Sequence, residues 1–327
     1  MINYFNFKKL NNKYLLTNDL GRYMFTNFDQ LKSMITNNVD FNSDFGRKAT
    51  ENFFCYNGSA QAFSELLKPY YRDSKNYLFS ATSLHIFVVT NACNMKCVYC
   101  QAQSGKCIPN GMMSESTAQK AVDIALSSPG KYLSFEFQGG EPLINFDVIK
   151  HIVEYTKSKN TNKIIEFNLV SNLTLLTTEM IEFLKNHNIG ISTSLDGNEL
   201  LHNKNRTYRD GMGTYSDVLK GVDLLKSNNI EYGAIQTTTR ASLAKAKEIV
   251  DTYISLGLPS VFIRNLTPLG CAANDWQEIG YTPTEFIDFY KACFDYIIEN
   301  KDTLDALKIC TEGMIAVLKE KINDSQT

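Results

Sequence analysis

No stretch of the 327-residue chain approaches the roughly 20 consecutive apolar residues that a membrane-spanning helix needs. The opening MINYFNFKKL has no apolar core followed by a small-residue cleavage site, so nothing marks it for secretion and the expected compartment is cytoplasmic. Neither sign of charge dominates: 33 Lys and Arg stand against 35 Asp and Glu, a formal net charge of −2. That balance lacks the basic excess of a protein that neutralises phosphate backbones, so neither nucleic acid nor a membrane is an expected partner. Histidine is scarce. His85, His151, His187 and His202 are the whole set, no two at ligand spacing, and each is expected in a satisfied core or surface role. A Gly-x-x-x-x-Gly-Lys-Ser/Thr phosphate loop, an internal repeat and a low-complexity tract are all missing. What is present suits a folded core: 43% of residues are hydrophobic and 12% aromatic, which rules out wholesale disorder. The length predicts one large domain with appendages, or two domains.

The eight cysteines fall into two groups. In a long chain expected in the cytosol an even count does not imply a disulfide framework. Cys55, Cys107, Cys271, Cys293 and Cys310 are scattered and read as small, partly buried hydrophobes. The run Cys93-Asn-Met-Lys-Cys97-Val-Tyr-Cys100 instead packs three thiols into eight residues. Clustered thiolates are soft ligands and point to zinc or to iron–sulfur. Structural zinc wants four ligands and a closed shell, the fourth here being Cys107 or a remote histidine. A cubane held by three cysteines leaves one iron open to a small chelating molecule. On the residues alone both readings stand.

Residues 84–90 are rich in β-branched and aromatic side chains and read as a buried strand, which puts the three thiols on the loop at its carboxyl end. Ser114 starts a helix over residues 118–126. Further strands are predicted at 132–138, 164–170, 189–195, 232–238 and 260–266, and helices at 146–159, 178–187, 215–228 and 243–256. Strand–helix alternation implies a parallel sheet with right-handed crossovers. Eight such units close a barrel; six predict an α/β fold, a partial (β/α)6 TIM-like barrel over residues 81–275. In such folds, sites gather on loops at the carboxyl ends of strands.

The candidate residues fall there. Gly139 and Gly140 follow the second strand and let backbone approach a ligand closely. Glu141 supplies an acceptor for a cationic group such as an ammonium. Gly-Gly-Glu-Pro alone is commonly a turn; its position at a strand end favours function. Ser171-Asn172 and Ser194-Leu195-Asp196-Gly197 suit hydrogen bonding to a ribose or a carboxylate, although turn chemistry explains them equally. The polar stretch 202–211 holds Arg206 and Arg209, fit to pin a carboxylate or simply solvated. Residues 264–270 offer backbone for an adenine-sized pocket.

The flanks differ from the centre. Residues 1–80 form an N-terminal unit, with strands at 14–17 and 22–26 around a hairpin-like turn and helices at 28–36 and 60–68. Residues 276–327 form a helical C-terminal segment, with helices at 286–300 and 304–321 that close the open sheet edge or lead toward a missing domain.

Taken together, Cys93, Cys97, Tyr99 and Cys100 resemble the Cys-x3-Cys-x2-Cys signature of the radical S-adenosylmethionine superfamily, with its aromatic before the last thiol. Gly139–Pro142 resembles that family's amino-group motif, and the likeness runs over residues 84–270. It implies a [4Fe–4S] cluster on Cys93, Cys97 and Cys100, with S-adenosyl-L-methionine on the open iron. One electron then cleaves the sulfonium to methionine and a 5′-deoxyadenosyl radical that abstracts a substrate hydrogen. The resemblance assigns Tyr99 to the adenine, Gly139, Gly140 and Glu141 to the amino group, and Ser194 and Arg206 to ribose or carboxylate. EFQGGEPLINF, SLDG and the 202–206 loop are similar to the peptide- and protein-modifying, SPASM-type branch, which includes sulfatase-maturing enzymes. The opening YFNFKKLNNKYLLTNDLGRYMF resembles the maturase of the His-Xaa-Ser peptide system. This implies a ribosomal precursor peptide or protein as substrate and an electron donor such as flavodoxin or ferredoxin. The N-terminal unit resembles leader-peptide recognition modules, in which an edge strand accepts an added strand; the alternative is an extension that covers one barrel end.

One departure stands out. The branch ends in a cysteine-rich domain with auxiliary clusters, and Cys271, Cys293 and Cys310 do not reproduce its spacing: Gly280 comes too early and position 285 is Glu285. The expectation is a truncated chain or a variant without auxiliary clusters. The rival readings are a zinc-stabilised peptide-binding module without redox chemistry and an inactive, truncated radical enzyme.

Overall fold

The structure is a computed structural model that describes residues 1–103, 111–258, 260–300 and 308–310. It divides into two compact units, Met1–Ala81 and Thr82–Thr327.

The first unit is an antiparallel sheet of β1 (Asn6–Leu10), β2 (Lys13–Thr17) and β3 (Tyr23–Thr26), followed by α1 (Phe28–Ile35), α2 (Asp44–Glu51) and α3 (Ala60–Ser74). The predicted hairpin is β2–β3. Asn18 builds its turn, its side-chain oxygen accepting from the Leu20 and Arg22 amides, with Gly21 at φ +71°. β1 and α2 were not foreseen, for a shared reason. All five β1 residues are exposed, so no alternation marks the strand, and α2 buries only Gly46 and Ala49, too small to draw an apolar stripe. The core joins Leu16, Leu31, Met34, Phe54 and Cys55.

The second unit is built on a parallel sheet. Its chain order is β4 (Leu84–Thr90), β5 (Met95–Cys97), α4 (Glu115–Leu126), β6 (Tyr132–Gly139), α5 (Phe146–Lys159), β7 (Ile164–Val170), α6 (Thr178–Asn186) and β8 (Gly190–Ser194). It continues through α7 (Glu199–Asn205), β9 (Arg206–Tyr208), α8 (Tyr215–Ser227), β10 (Tyr232–Thr237), α9 (Ala246–Ser255), β11 (Ser260–Arg264), α10 (Pro283–Glu299) and β12 (Lys308–Cys310). The sheet order is β12-β11-β10-β8-β7-β6-β4, each neighbour pair parallel. This is the partial barrel. The six predicted strands are there because alternate residues face the helices: Leu133, Phe135 and Phe137 of β6 are buried while Ser134, Glu136 and Gln138 are half-exposed on the other face. Phe87, Phe135, Phe137 and Phe167 form a contiguous aromatic layer beneath α4 and α5.

Two expectations need correction. β12 lies inside 304–321, which was read as helix; pairing of Ser260–Phe262 with Lys308–Cys310 overrides helical propensity there. The rest of that run, and Cys107, lie outside the described residues. Second, α10 begins at Pro283, three residues ahead of the expected start. A reciprocal Thr282–Glu285 capping box with Pro283 in the first turn fixes the earlier boundary. No described helix is long and apolar enough to cross a membrane.

Candidate functional site

The cysteine loop leaves the carboxyl end of β4 and is clamped from three sides. β5 pairs antiparallel with β9, and in that short ladder Cys97 stands directly opposite Arg206. The Val98 amide donates to the Asn205 carbonyl (3.0 Å). From the end of β11, the Cys271 amide donates to the Cys100 carbonyl (2.9 Å), and Gln101 Nε2 donates to Thr267 Oγ1 (2.6 Å). Gly270 is required at that crossing: it has φ +59°, and a Cβ there would collide with the Cys100 and Gln101 carbonyl oxygens.

Cys93, Cys97 and Cys100 line a single cavity of about 240 Å³ at the strand ends, together with Tyr99. Gly139, Gly140 and Glu141 form part of its wall, as do Ser194 at the end of β8 and Arg206 at the start of β9. All nine sequence-predicted site residues therefore reach one space.

What several of them do locally differs from expectation. Besides lining the cavity, the two glycines serve a backbone contact that the sequence does not reveal: a Cβ at Gly139 would strike the Thr90 carbonyl and one at Gly140 the Ala92 carbonyl. The close approach they permit is between the exits of β6 and β4, sealed where the Gly140 amide donates to Thr90 and the Glu141 amide to Ala92 (both 2.8 Å). Glu141 is 1% exposed. Its Oε1 accepts from Ser171 Oγ (2.7 Å) and the Leu143 amide (3.1 Å), and its Oε2 from the Asn172 amide (2.8 Å). Burial pushes its carboxyl up to about 7 against the pull of those three donors. Ser171, read as a ligand contact, spends its hydroxyl on Glu141.

Arg206 is neither solvated nor idle. It is 8% exposed, its Nη1 donates to Cys97 Sγ at 3.8 Å, and its guanidinium lies 5.2 Å from the centre of the Tyr99 ring. Its Nε is 3.4 Å from Asp196 Oδ2, close enough for an ion pair but not aligned as a hydrogen bond. Asp196, fully buried, also accepts from Tyr99 Oη (2.6 Å), Asn205 Nδ2 (3.0 Å) and the Thr237 amide (3.2 Å). His202 completes the base. Its Nδ1 accepts from the Asp196 amide (3.4 Å), which leaves Nε2–H to donate to Thr214 Oγ1 (3.2 Å), and that hydroxyl donates to the Arg206 carbonyl (3.0 Å). Burial pushes His202 down to about 4, so it is a neutral core residue.

The thiols are chemically matched to a metal cluster. Burial pushes Cys97 up to about 12, with Arg206 pulling against it, and raises Cys93, so both need a metal to become thiolates near neutrality. Among the described residues no three His, Cys, Asp or Glu side chains converge at the spacing of a single ion. Three thiols lining one cavity suit the three-cysteine ligation of an iron–sulfur cubane.

Residues 87–243 match the Radical SAM superfamily. That stretch, just under half of the chain, is a radical SAM domain. Such a domain works with S-adenosylmethionine and an iron–sulfur cluster, and Cys93, Glu141 and Arg206 all fall inside the matched span. The chain is 34% identical over 183 residues to an uncharacterized protein of Methanocaldococcus jannaschii, covering 56% of this chain and 62% of that one. It is 26% identical over 230 residues to the cysteine-type anaerobic sulfatase-maturating enzyme of Clostridium perfringens, covering 67% and 60%. It thus spans less than two thirds of either relative. In fold it resembles native anSMEcpe with bound AdoMet (TM-score 0.63, 24% identity, 70% of this chain and 64% of that one). It also resembles Streptococcus suis SuiB bound to S-adenosylmethionine (TM-score 0.56, 16% identity, 95% and 73%), a protein also solved with its precursor peptide SuiA.

Proposed function

We propose that the chain is a radical SAM enzyme that abstracts hydrogen from a ribosomally made peptide or protein to install a modification. The observation that carries this reading is the meeting of Cys93, Cys97 and Cys100 with Gly139–Glu141 in one cavity at the carboxyl ends of parallel strands. When bound, the cluster and its cosubstrate supply the one-electron cleavage that yields methionine and a 5′-deoxyadenosyl radical, the electron coming from a donor such as flavodoxin or ferredoxin. The protein's own part is positioning and exclusion of water. The three cysteines hold the cluster. Glu141, with acceptor capacity left on Oε2, takes the cosubstrate ammonium, while Gly139 and Gly140 set the wall against which that group sits. Tyr99 flanks the adenine, and Ser194 and the unspent donors of Arg206 face ribose or carboxylate.

The peptide assignment is supported by the sulfatase-maturating relative and by the fold shared with SuiB. Residues 1–80 serve as the peptide-recognition module in this reading, with residues 81–275 as the radical SAM barrel. The outer strands β1 and β3 of the small sheet are where an extended leader adds. The test is anaerobic incubation of the reconstituted chain with dithionite and S-adenosylmethionine. Methionine and 5′-deoxyadenosine are expected in equal amounts, and a cluster-loaded protein that makes neither contradicts the reading. Glu141→Ala is expected to keep the cluster and weaken cosubstrate binding by about tenfold or more, about 1.4 kcal/mol; an unchanged affinity rejects its assigned role.

A further inference from the structure

We infer that Arg206 and Asp196 form a buried ion pair whose positive end, set against Cys97, raises the reduction potential of the cluster that this cysteine holds. The inference rests on the proposed cluster at Cys93, Cys97 and Cys100, and it concerns the Nη1 contact of Arg206 with Cys97 rather than the donors of Arg206 left for the cosubstrate.

Three independent contacts point the guanidinium at the sulfur. The β5–β9 ladder makes Cys97 and Arg206 cross-strand partners, so backbone pairing alone brings them together. Nη1 faces Cys97 Sγ at 3.8 Å, and the guanidinium rests against the Tyr99 ring. Asp196 then fixes the cation through Nε, its Oδ2 3.4 Å away and itself tied to Tyr99 Oη, Asn205 and the Thr237 amide. Neither partner is open to solvent: Asp196 is 0% exposed and Arg206 8%, so water and salt screen the pair weakly. Reduction adds one negative charge to a cluster. A cation and an N–H donor at a ligating sulfur stabilise that extra charge, and a carboxylate behind the cation opposes it. Arg206 therefore raises the potential, while Asp196 holds the cation in place and moderates its effect. Asp196 is a positioning residue: it acts through Arg206.

The test is a reductive titration of the reconstituted full chain without S-adenosylmethionine, followed by the electron paramagnetic resonance of the reduced cluster. Arg206→Gln is expected to lower the reduced-to-oxidised ratio at a fixed ambient potential about tenfold, equivalent to 59 mV for a one-electron couple. Asp196→Asn, nearly isosteric, is expected to move the ratio the opposite way. Arg206→Lys keeps the charge without the guanidinium's fixed fork and is expected to fall between the parent and Arg206→Gln. Mere loosening of the loop would shift Arg206→Gln and Asp196→Asn alike, so shifts of the same sign overturn the inference, as do unmoved potentials. If Arg206→Gln does not load, Asp196→Asn decides alone: a raised potential supports the pair and an unchanged or lowered one refutes it. A parent chain that takes up no iron and sulfide defeats the functional reading itself, which a silent substitution in a loaded chain does not.

Discussion

The two walls of the cavity solve the same problem with different physics. The wall at the ends of β6 and β7 is made of backbone and hydrogen bonds around one acid: Gly139 and Gly140 bring two strand exits into contact, and Glu141 gathers three donors. The wall at β8 and β9 is made of opposed charges: Arg206 and Asp196 lie buried together against Cys97 and Tyr99. The first is held by the absence of side chains, so it fails by crowding. The second is held by compensation, so it fails when one partner is left alone.

The largest expected effect is therefore on the charged wall. Asp196→Ala strands a buried guanidinium and is expected to destabilise the chain by about 3 kcal/mol, read as a lower denaturant midpoint at unchanged slope; a loss under about 1 kcal/mol would show that the pair is already open to water. Next comes crowding of the other wall. Gly140→Ala drives a methyl into the Ala92 carbonyl and is expected to cost about 2 kcal/mol. A third change separates the walls by pH. Because Glu141 is raised from its ordinary 4.5 to about 7, the folded chain binds more protons than the unfolded one across that window. Stability without cosubstrate should then fall as pH rises from 4.5 to 7, by at most about 1.4 kcal/mol per pH unit, and level off above. Glu141→Gln should remove that slope, whereas an identical pH profile in the variant contradicts the assignment. The smallest effect is the control: Gly233→Ala meets nothing within 4 Å and should stay within about 0.5 kcal/mol of the parent.

The same contrast sets what could be read from the chain. The six barrel strands were legible because each buries alternate residues on one face, as Leu133, Phe135 and Phe137 do. The cysteine run and Gly139–Glu141 were legible because each is contiguous in sequence. The charged wall was not. Cys97 and Arg206 are 109 residues apart, and the ladder that joins them consists of two three-residue strands, too short to carry any periodicity. Asp196 was visible only as part of a turn-like Ser-Leu-Asp-Gly, and nothing in that tetrapeptide says that its carboxylate collects a tyrosine hydroxyl, an asparagine and an arginine. The glycines were legible as a place of close approach, but the Thr90 and Ala92 carbonyls that approach them were not, since which atoms meet a bare Cα depends on packing that sequence does not display. β1 and α2 escaped because almost nothing in them is buried.

The measurement that bears most directly on the central claim is the iron and acid-labile sulfide content of the anaerobically reconstituted chain beside its Cys97→Ala variant. The account expects about four of each per parent chain, with the variant losing the cluster and its visible absorbance. A parent chain that stays colourless, or that binds about one zinc instead, would contradict it.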